Sequence, residues 1–274
     1  MANQRIGSML CPDCGQLISV NAEECIHCGR KNPGMWGMTP VLRNILGRFG
    51  FTETVTAFCI ALYVIGILLD PAGMLRPRGL LSLFSPSMKS LYALGMTGAA
   101  AIHEGRWWTL MTAIYLHGGL LHIFFNLMWI RQLAPTIDEL YGTARLVLIF
   151  TIAGVLGFLA SHSFGIPFTV GAAGSIFGLI GAVIYYGHHR GGEFGMSIFR
   201  QTGQWALVLF LLGFLMPAVN NWAHGGGFVG GYLAARLLGY SERRPESFSM
   251  KVLALGTILL TLVAFGLVMW NLFF

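Results

Sequence analysis

The chain has 274 residues, of which 55% are hydrophobic and 10% charged, and its formal net charge is +6. This composition excludes a soluble globular protein and is typical of a polytopic membrane protein. No nucleic acid is expected as a partner, because the basic residues are spread along the chain instead of being gathered on one face.

Two Cys-x-x-Cys-Gly turns open the sequence. They contain Cys11, Cys14, Cys25 and Cys28. Four thiolates at this spacing can complete a closed tetrahedral metal site. We therefore predict a zinc-ribbon-like module over residues 1–32 with one structural Zn²⁺, iron being the alternative metal, and a reducing cytoplasm disfavours disulfides. Four sulfur ligands leave no open position, so no cofactor is expected for catalysis; a cytoplasmic protein is the partner that such a module would bind. His27 is expected to be exposed.

Residues 33–50 are interpreted as a linker or interfacial segment. Beyond them, a membrane-spanning helix needs about 20 mostly apolar residues. Seven segments are candidates: 53–69, 119–135, 145–162, 174–188, 203–219, 222–239 and 251–272. The predicted fold is an all-α polytopic membrane protein, with a six-helix core over 51–240 and a linker and seventh helix over 241–274.

The basic residues orient the chain in the membrane. If the amino terminus is cytoplasmic, four of the 17 Lys and Arg fall outside, all in one long loop: Arg76, Arg78, Lys89 and Arg106. Cytoplasmic loops carry an excess of Lys and Arg. We therefore predict a cytoplasmic amino terminus, an external carboxyl terminus and a lipid bilayer as surroundings, namely a bacterial inner membrane.

Polar side chains inside the spans gather toward the outer side. His122 and Asn126 lie four apart on one face of the second span, His117 precedes them, and His224 lies near the outer end of the sixth span. Each alone could serve only helix packing or interhelical hydrogen bonding. Intramembrane polar residues are costly and usually functional, so together they predict one cavity.

The fourth span is short. Residues 174–188 offer roughly 21 Å of helix against about 30 Å of hydrocarbon, so the outer end should lie below the membrane surface. Four glycines, Gly174 and Gly178 on this span and Gly227 and Gly231 on the sixth, are spaced for close approach of the two helices.

These motifs resemble those of the rhomboid intramembrane serine proteases, in matching order and spacing. They are His117-x4-His122-x3-Asn126, Gly171-x-x-Gly174 followed by Ile-Phe-Gly, and Ala223-His224-x2-Gly227-x3-Gly231. The resemblance covers roughly residues 51–240, and the segment after 250 is similar to the extra helix of the six-plus-one subgroup. Gly105-Arg-Trp-Trp108 resembles the outer-loop Trp-Arg signature, but Thr109 stands where the arginine is expected.

The resemblance implies an endopeptidase that cleaves transmembrane substrates near their outer end by a Ser/His dyad. His224 would be the base, and His122, Asn126 and the backbone N–H of residue 173 would stabilise the oxyanion. Phe177 would pack on the His224 ring, and His117 would support the cavity rim. Gly171, Gly174 and Gly227 would support the site by close backbone packing.

The family motif Gly-x-Ser-Gly places Ala173, not serine, at the nucleophile position. Ser175 follows two residues later, about 200° around the helix, so it should face away and bond back to a carbonyl one turn earlier. Ser175 remains the alternative nucleophile.

Two functions stay open. The chain is either a rhomboid protease with an inactivating substitution, which we favour because the other site residues are present, or a natural pseudoprotease that binds transmembrane clients without cutting them. A channel or transporter is disfavoured, because no inverted repeat is evident.

Overall fold

The computed structural model describes residues 8–11, 14–19, 22–33, 50–74, 84–215, 219–242 and 246–273. The chain divides into two compact units, residues 1–54 and 55–274. Most of the predicted linker at 33–50 lies outside the described residues, as do Arg76 and Arg78 of the outer loop.

The first unit contains a small cysteine-rich module. Strand β1 (Ser8–Leu10) pairs antiparallel with β2 (Leu17–Ser19), and Leu10 lies opposite Leu17. Each Cys-x-x-Cys turn is closed by the glycine that follows it, because the Gly15 N–H donates to the Cys11 carbonyl and the Gly29 N–H to the Cys25 carbonyl, both at 2.9 Å. Both glycines have a positive φ, +70° and +75°, which side-chain-bearing residues rarely adopt.

Eleven helices are found among the described residues. They are α1 (Phe51–Leu69), α2 (Pro71–Met74), α3 (Met88–Ala93), α4 (Ala99–His103), α5 (Thr109–Thr112), α6 (Leu120–Tyr141), α7 (Thr143–Ser163), α8 (Ala173–Arg190), α9 (Gly192–Leu215), α10 (Asn221–Leu238) and α11 (Phe248–Phe273). A 3-10 turn, Ala113–Tyr115, follows α5. The second unit is all-α. Its core consists of the six long helices α1 and α6–α10, and α11 is the seventh, carboxy-terminal helix.

The seven predicted segments correspond to α1 and α6–α11. Two boundaries were wrong. Helix α9 begins at Gly192 and not at 203. The predicted boundary was late because the polar first half of the helix, which includes Arg200, lowers the apolar signal there. Helix α6 continues to Tyr141 through Pro135, which lies inside the helix.

Four helices, α1, α7, α9 and α11, are long and apolar enough to span a membrane by themselves. The Thr109–Tyr115 segment and α6 form a pair bent by 92° that could make a fifth span. Helices α8 and α10 do not reach this threshold in the described chain. Their glycines, histidines and arginines lower the hydropathy. Helix α8 is buried from Gly174 to Gly187, whereas α10 exposes Val229, Leu233 and Leu237.

Helix α8 is the centre of the bundle. Every residue from Gly174 to Gly187 is buried, and α8 packs against α6, α7, α9 and α10. Glycines make the contact with α10 possible, because a Cβ at Gly227 would overlap the Gly174 backbone and a Cβ at Gly231 would overlap the Gly178 backbone. Small residues at this spacing let two helices approach to backbone contact, as predicted for the fourth and sixth spans.

Helix α11 packs against the core. Its Phe265 ring lies 5.0 Å from the Phe58 ring of α1 and 6.1 Å from the Tyr115 ring. The connection before α11 is fixed by Glu246, whose carboxylate accepts from the Ala144 N–H at 2.9 Å at the start of α7. A carboxylate is favourable at a helix amino terminus because the helix dipole is positive there.

Candidate active site and metal centre

Position 173 and position 175 differ sharply in their surroundings. Ala173 is the first residue of α8 and is partly exposed, whereas Ser175 has an exposed fraction of 0%. A Cβ at Gly154 of α7 would overlap the Ser175 Oγ, so that hydroxyl lies directly against α7. Ser175 therefore points into the α7–α8 interface.

The predicted back-bond from Ser175 is wrong. Among the described residues the Ser175 Oγ has no hydrogen-bond partner. The missing side chain of Gly154 leaves room for the hydroxyl, which therefore points across to α7 instead of back along its own helix.

The opposite face of α8 meets His224. The Phe177 ring is stacked on the His224 imidazole, with ring centroids 4.2 Å apart and planes inclined by 15°. Residue 173 lies four residues before Phe177 and therefore on the same face of the helix, one turn nearer its start. His224 is buried, and its Nδ1 has no partner within the described part of the chain.

Close backbone contacts join α7, α8 and α10 near His224. A Cβ added to Gly157 of α7 would lie 2.6 Å from the Ala223 carbonyl oxygen, next to His224. Gly227, one turn beyond Ala223, touches Gly174. The starts of α8 and α10 are thus held at glycine contact distance, and both meet α7.

The His122 ring lies against the segment that leads into α8, at Gly171. Gly171 has φ +115°, and a Cβ there would be 2.5 Å from the His122 Nε2. The Gly171 N–H donates to the Ala113 carbonyl at 2.9 Å, which holds this segment in place. Position 171 therefore requires glycine for both its backbone angle and the close approach of His122.

The hydrogen bonds of His122 define which ring nitrogen can donate. The Gly118 N–H lies 3.3 Å from the His122 Nδ1, which must accept. In neutral imidazole the other nitrogen then carries the proton. The Nε2–H of His122 is thus the donor that faces Gly171, two residues before Ala173.

Asn126 and His117 complete this side of the site. The Asn126 Nδ2 donates to the His122 carbonyl at 2.8 Å, and its Oδ1 has no partner in the described chain. His117 is 1% exposed and its Nδ1 lies 3.2 Å from the Tyr115 carbonyl oxygen. The His117 ring lies 5.2 Å from the His122 ring, and its role as a support of the cavity rim stays a prediction.

The outer loop is held by contacts of Arg106 and Tyr92 that the sequence analysis did not predict. The Arg106 Nη2 donates to the Tyr92 carbonyl at 2.9 Å, and its guanidinium lies 4.2 Å from the centroid of the Tyr92 ring. The Tyr92 hydroxyl donates to Glu104. Thr109, at the expected arginine position, lies 3.0 Å from the Thr97 hydroxyl instead. The first residue of the Arg-Trp-Trp sequence therefore supplies the cation that contacts Tyr92.

Asn220, which caps α10, was also not identified from the sequence. Its side-chain Oδ1 accepts from the Ala223 N–H at 3.1 Å and caps α10. An Asn directly before an apolar helix is a recognisable amino-terminal cap, so this part of its role could have been predicted. Its other contacts depend on the tertiary structure.

The four cysteines of the module form one cluster. Their sulfur atoms all lie within 4.8 Å of one another, with 3.7 Å between Cys11 and Cys28 and 3.7 Å between Cys14 and Cys25. Tetrahedral coordination with metal–sulfur bonds of about 2.3 Å separates the sulfurs by about 3.8 Å. None of the four cysteines forms a disulfide, so the cluster fits a metal ion. His27 is exposed, as predicted, and the fifth cysteine, Cys59, is buried in α1.

The fold and the site define a polytopic helical membrane protein whose histidines converge beside the start of a buried, glycine-packed helix. Residues 104–241 match the family model of the rhomboid domain. The chain is 31% identical over 192 residues to Rhomboid protease GluP of Bacillus subtilis (strain 168), covering 69% of this chain and 36% of that protein. It is 30% identical over 145 residues to Putative rhomboid protease YdcA of the same strain, covering 52% of this chain and 73% of that protein.

A third relative is Inactive RHOMBOID-like protein 8 of Arabidopsis thaliana, 29% identical over 152 residues, which are 54% of this chain and 43% of that protein. This chain belongs to the rhomboid family. It spans about a third of the length of the GluP relative. The family thus includes proteins named as proteases and a protein named as inactive.

Proposed function

We propose that this protein has the site of a rhomboid-type intramembrane serine endopeptidase in which alanine occupies the nucleophile position, residue 173. The observation that supports the proposal is the stack of Phe177 on His224, since the partly exposed residue 173 lies one helical turn before Phe177 on α8. Ser175, the alternative nucleophile, is buried against Gly154 on another face.

With serine at position 173, His224 would act as the general base. The serine Oγ would attack the peptide carbonyl while His224 accepts its proton and then returns it to the leaving amine. Water would then attack the acyl-enzyme while His224 accepts its proton, and His224 would return that proton to the serine Oγ as the acid product leaves. The Phe177 ring restricts the rotation of the imidazole, so the base would already be oriented before substrate binds.

Three groups are available to stabilise the oxyanion. They are the backbone N–H at the start of α8, the Nε2–H of His122 and the second N–H of the Asn126 amide, of which only one is needed for the His122 carbonyl. Donors fixed before the reaction are worth most where water is excluded, and the helix start adds a positive dipole.

The substrates would be transmembrane segments that unwind near their outer end, cut after a small residue. The charge distribution supports a cytoplasmic amino terminus. We propose a bacterial inner membrane as the location. In the cysteine module we propose one structural Zn²⁺ held by Cys11, Cys14, Cys25 and Cys28, with a cytoplasmic protein as its binding partner.

A natural pseudoprotease that binds transmembrane clients is the second candidate. The observation that favours it is Ala173 itself, together with the relative named as inactive. An intact set of His122, Asn126 and His224 favours the protease, because a protein that only binds has no chemical need of an oxyanion site.

Restoring the nucleophile tests the proposal. Ala173→Ser should cleave a model transmembrane substrate and react with a fluorophosphonate probe, while the chain as written should do neither. Adding His224→Ala should abolish both, and adding Ser175→Ala should leave both nearly unchanged. If the unaltered chain instead cleaves the substrate and reacts with the probe, and loses both activities on Ser175→Ala, then Ser175 is the nucleophile and the alignment of the motif is wrong by two residues. If Ala173→Ser binds substrate but never cuts it, the pseudoprotease is favoured.

A further inference from the structure

Asn220 joins three separate elements next to the candidate site. It lies directly before α10, four residues before His224, and its backbone carbonyl accepts from the His224 N–H at 3.2 Å. Its side-chain Nδ2 donates to the Ser161 Oγ at 2.6 Å and lies 3.1 Å from the Thr169 Oγ1. Its Oδ1 caps α10 through the Ala223 N–H. One amide group therefore contacts α7, α10 and the segment that leads into α8.

Thr169 fixes the other side of this link. It lies four residues before Ala173 and exchanges two backbone hydrogen bonds with Thr97, at 2.8 and 3.3 Å. The segment from Thr169 to Gly171 is thus tied to the outer loop, and the Asn220 amide ties it to the helix that carries His224.

We propose that Asn220 is a positioning residue that sets the distance between residue 173 and His224. The inference rests on the proposed function, in which these two positions form the dyad. Helix capping alone needs only an acceptor, which Ser or Asp would supply equally well. The contacts to Ser161 and Thr169 need in addition a polar group that reaches as far as the asparagine amide, which here donates from one nitrogen to both hydroxyls.

The sharpest variant is Asn220→Ser in the Ala173→Ser background. Serine keeps the cap acceptor but is too short to reach Ser161 and Thr169. We expect kcat to fall by about ten- to hundredfold, the range for a misplacement of the order of an ångström, with little change in KM or in the thermal midpoint. Ser163→Ala is the control, because the Ser163 hydroxyl bonds only within α7, to the Leu159 carbonyl at 3.0 Å.

A double-mutant cycle separates the link from a general loss of packing. Thr169→Val alone should lower kcat, and combining it with Asn220→Ser should add little, because both changes remove the same contact. Effects on kcat that are fully additive, or that merely follow the loss of folded protein, would overturn the assignment.

Hydrogen exchange in the chain as written gives a readout that does not need activity. Asn220→Ser should speed exchange of the amides around Thr97 and Thr169, whereas Ser163→Ala should not. If Ala173→Ser is inactive but exchange speeds up, the proposed function fails and the link stands. If exchange and kcat are both unchanged in Asn220→Ser, Asn220 is only a helix cap.

Discussion

The Phe177 ring lies on the imidazole of His224 at a centroid distance of 4.2 Å. Phe177 belongs to α8 and His224 to α10, so this stack crosses the interface in which glycines bring the two helices into backbone contact. Aromatic side chains packed in this way hold each other's rotamers. The contact therefore holds a buried histidine of α10 against α8.

The stack itself can be tested in the Ala173→Ser background. Phe177→Ala should lower kcat by about three- to tenfold, which corresponds to the free energy of an aromatic pair, because His224 gains rotational freedom. Phe194→Ala removes a phenylalanine that is 65% exposed on α9 and is the control. An unchanged kcat in Phe177→Ala would show that the ring does not orient the base.

The glycine contacts predict large differences between neighbouring positions of α10. Gly227→Ala places a Cβ inside the Gly174 backbone and should destabilise the protein by about 1–3 kcal/mol or more, because backbone cannot move aside as a side chain can. Gly225→Ala meets nothing within 4 Å and should be neutral or slightly stabilising, since alanine is the better helix former. Thermal midpoints in detergent measure both. Equal midpoints would mean that α8 and α10 are not in backbone contact.

The cysteine cluster predicts one Zn²⁺ per chain. Elemental analysis of protein purified under reducing conditions should find it, and a strong chelator should speed hydrogen exchange over residues 8–33 while residues 84–215 are unaffected, because a module this small derives most of its folding free energy from the metal. Cys28→Ser should lose the ion, whereas Cys59→Ser, which changes a buried cysteine in α1, should keep it. Metal-free protein with an ordered module would contradict the assignment.

Membrane orientation can be tested with two single cysteines. Phe168 is 43% exposed and Glu193 is exposed at the start of α9, so both positions are accessible on the protein itself. An impermeant thiol reagent added to whole cells should label Phe168→Cys partially, because that loop is predicted to lie below the membrane surface, and should not label Glu193→Cys. Strong labelling at position 193 would reverse the orientation.

The sequence by itself determined the features that depend on neighbouring residues. Apolar segments identified the seven long helices of the described chain, and Cys-x-x-Cys spacing identified the cysteine cluster, because both signals are local. The spacing of His122, Asn126 and His224 identified the motifs of the rhomboid family. Boundaries were less certain, as the polar first half of α9 shows, because a hydropathy signal responds to composition and not to the hydrogen bonds that continue a helix.

Only the tertiary structure decided where the side chains of the site point. Ser175 turns toward α7 because Gly154, 21 residues away in sequence, leaves room for its hydroxyl. His117 is buried with its ring 5.2 Å from the His122 ring, and Asn220 reaches Ser161 and Thr169 because the fold brings their segments together. Such contacts join residues far apart in the chain, and the backbone periodicity that a sequence reveals carries no information about which distant residue will face a given side chain.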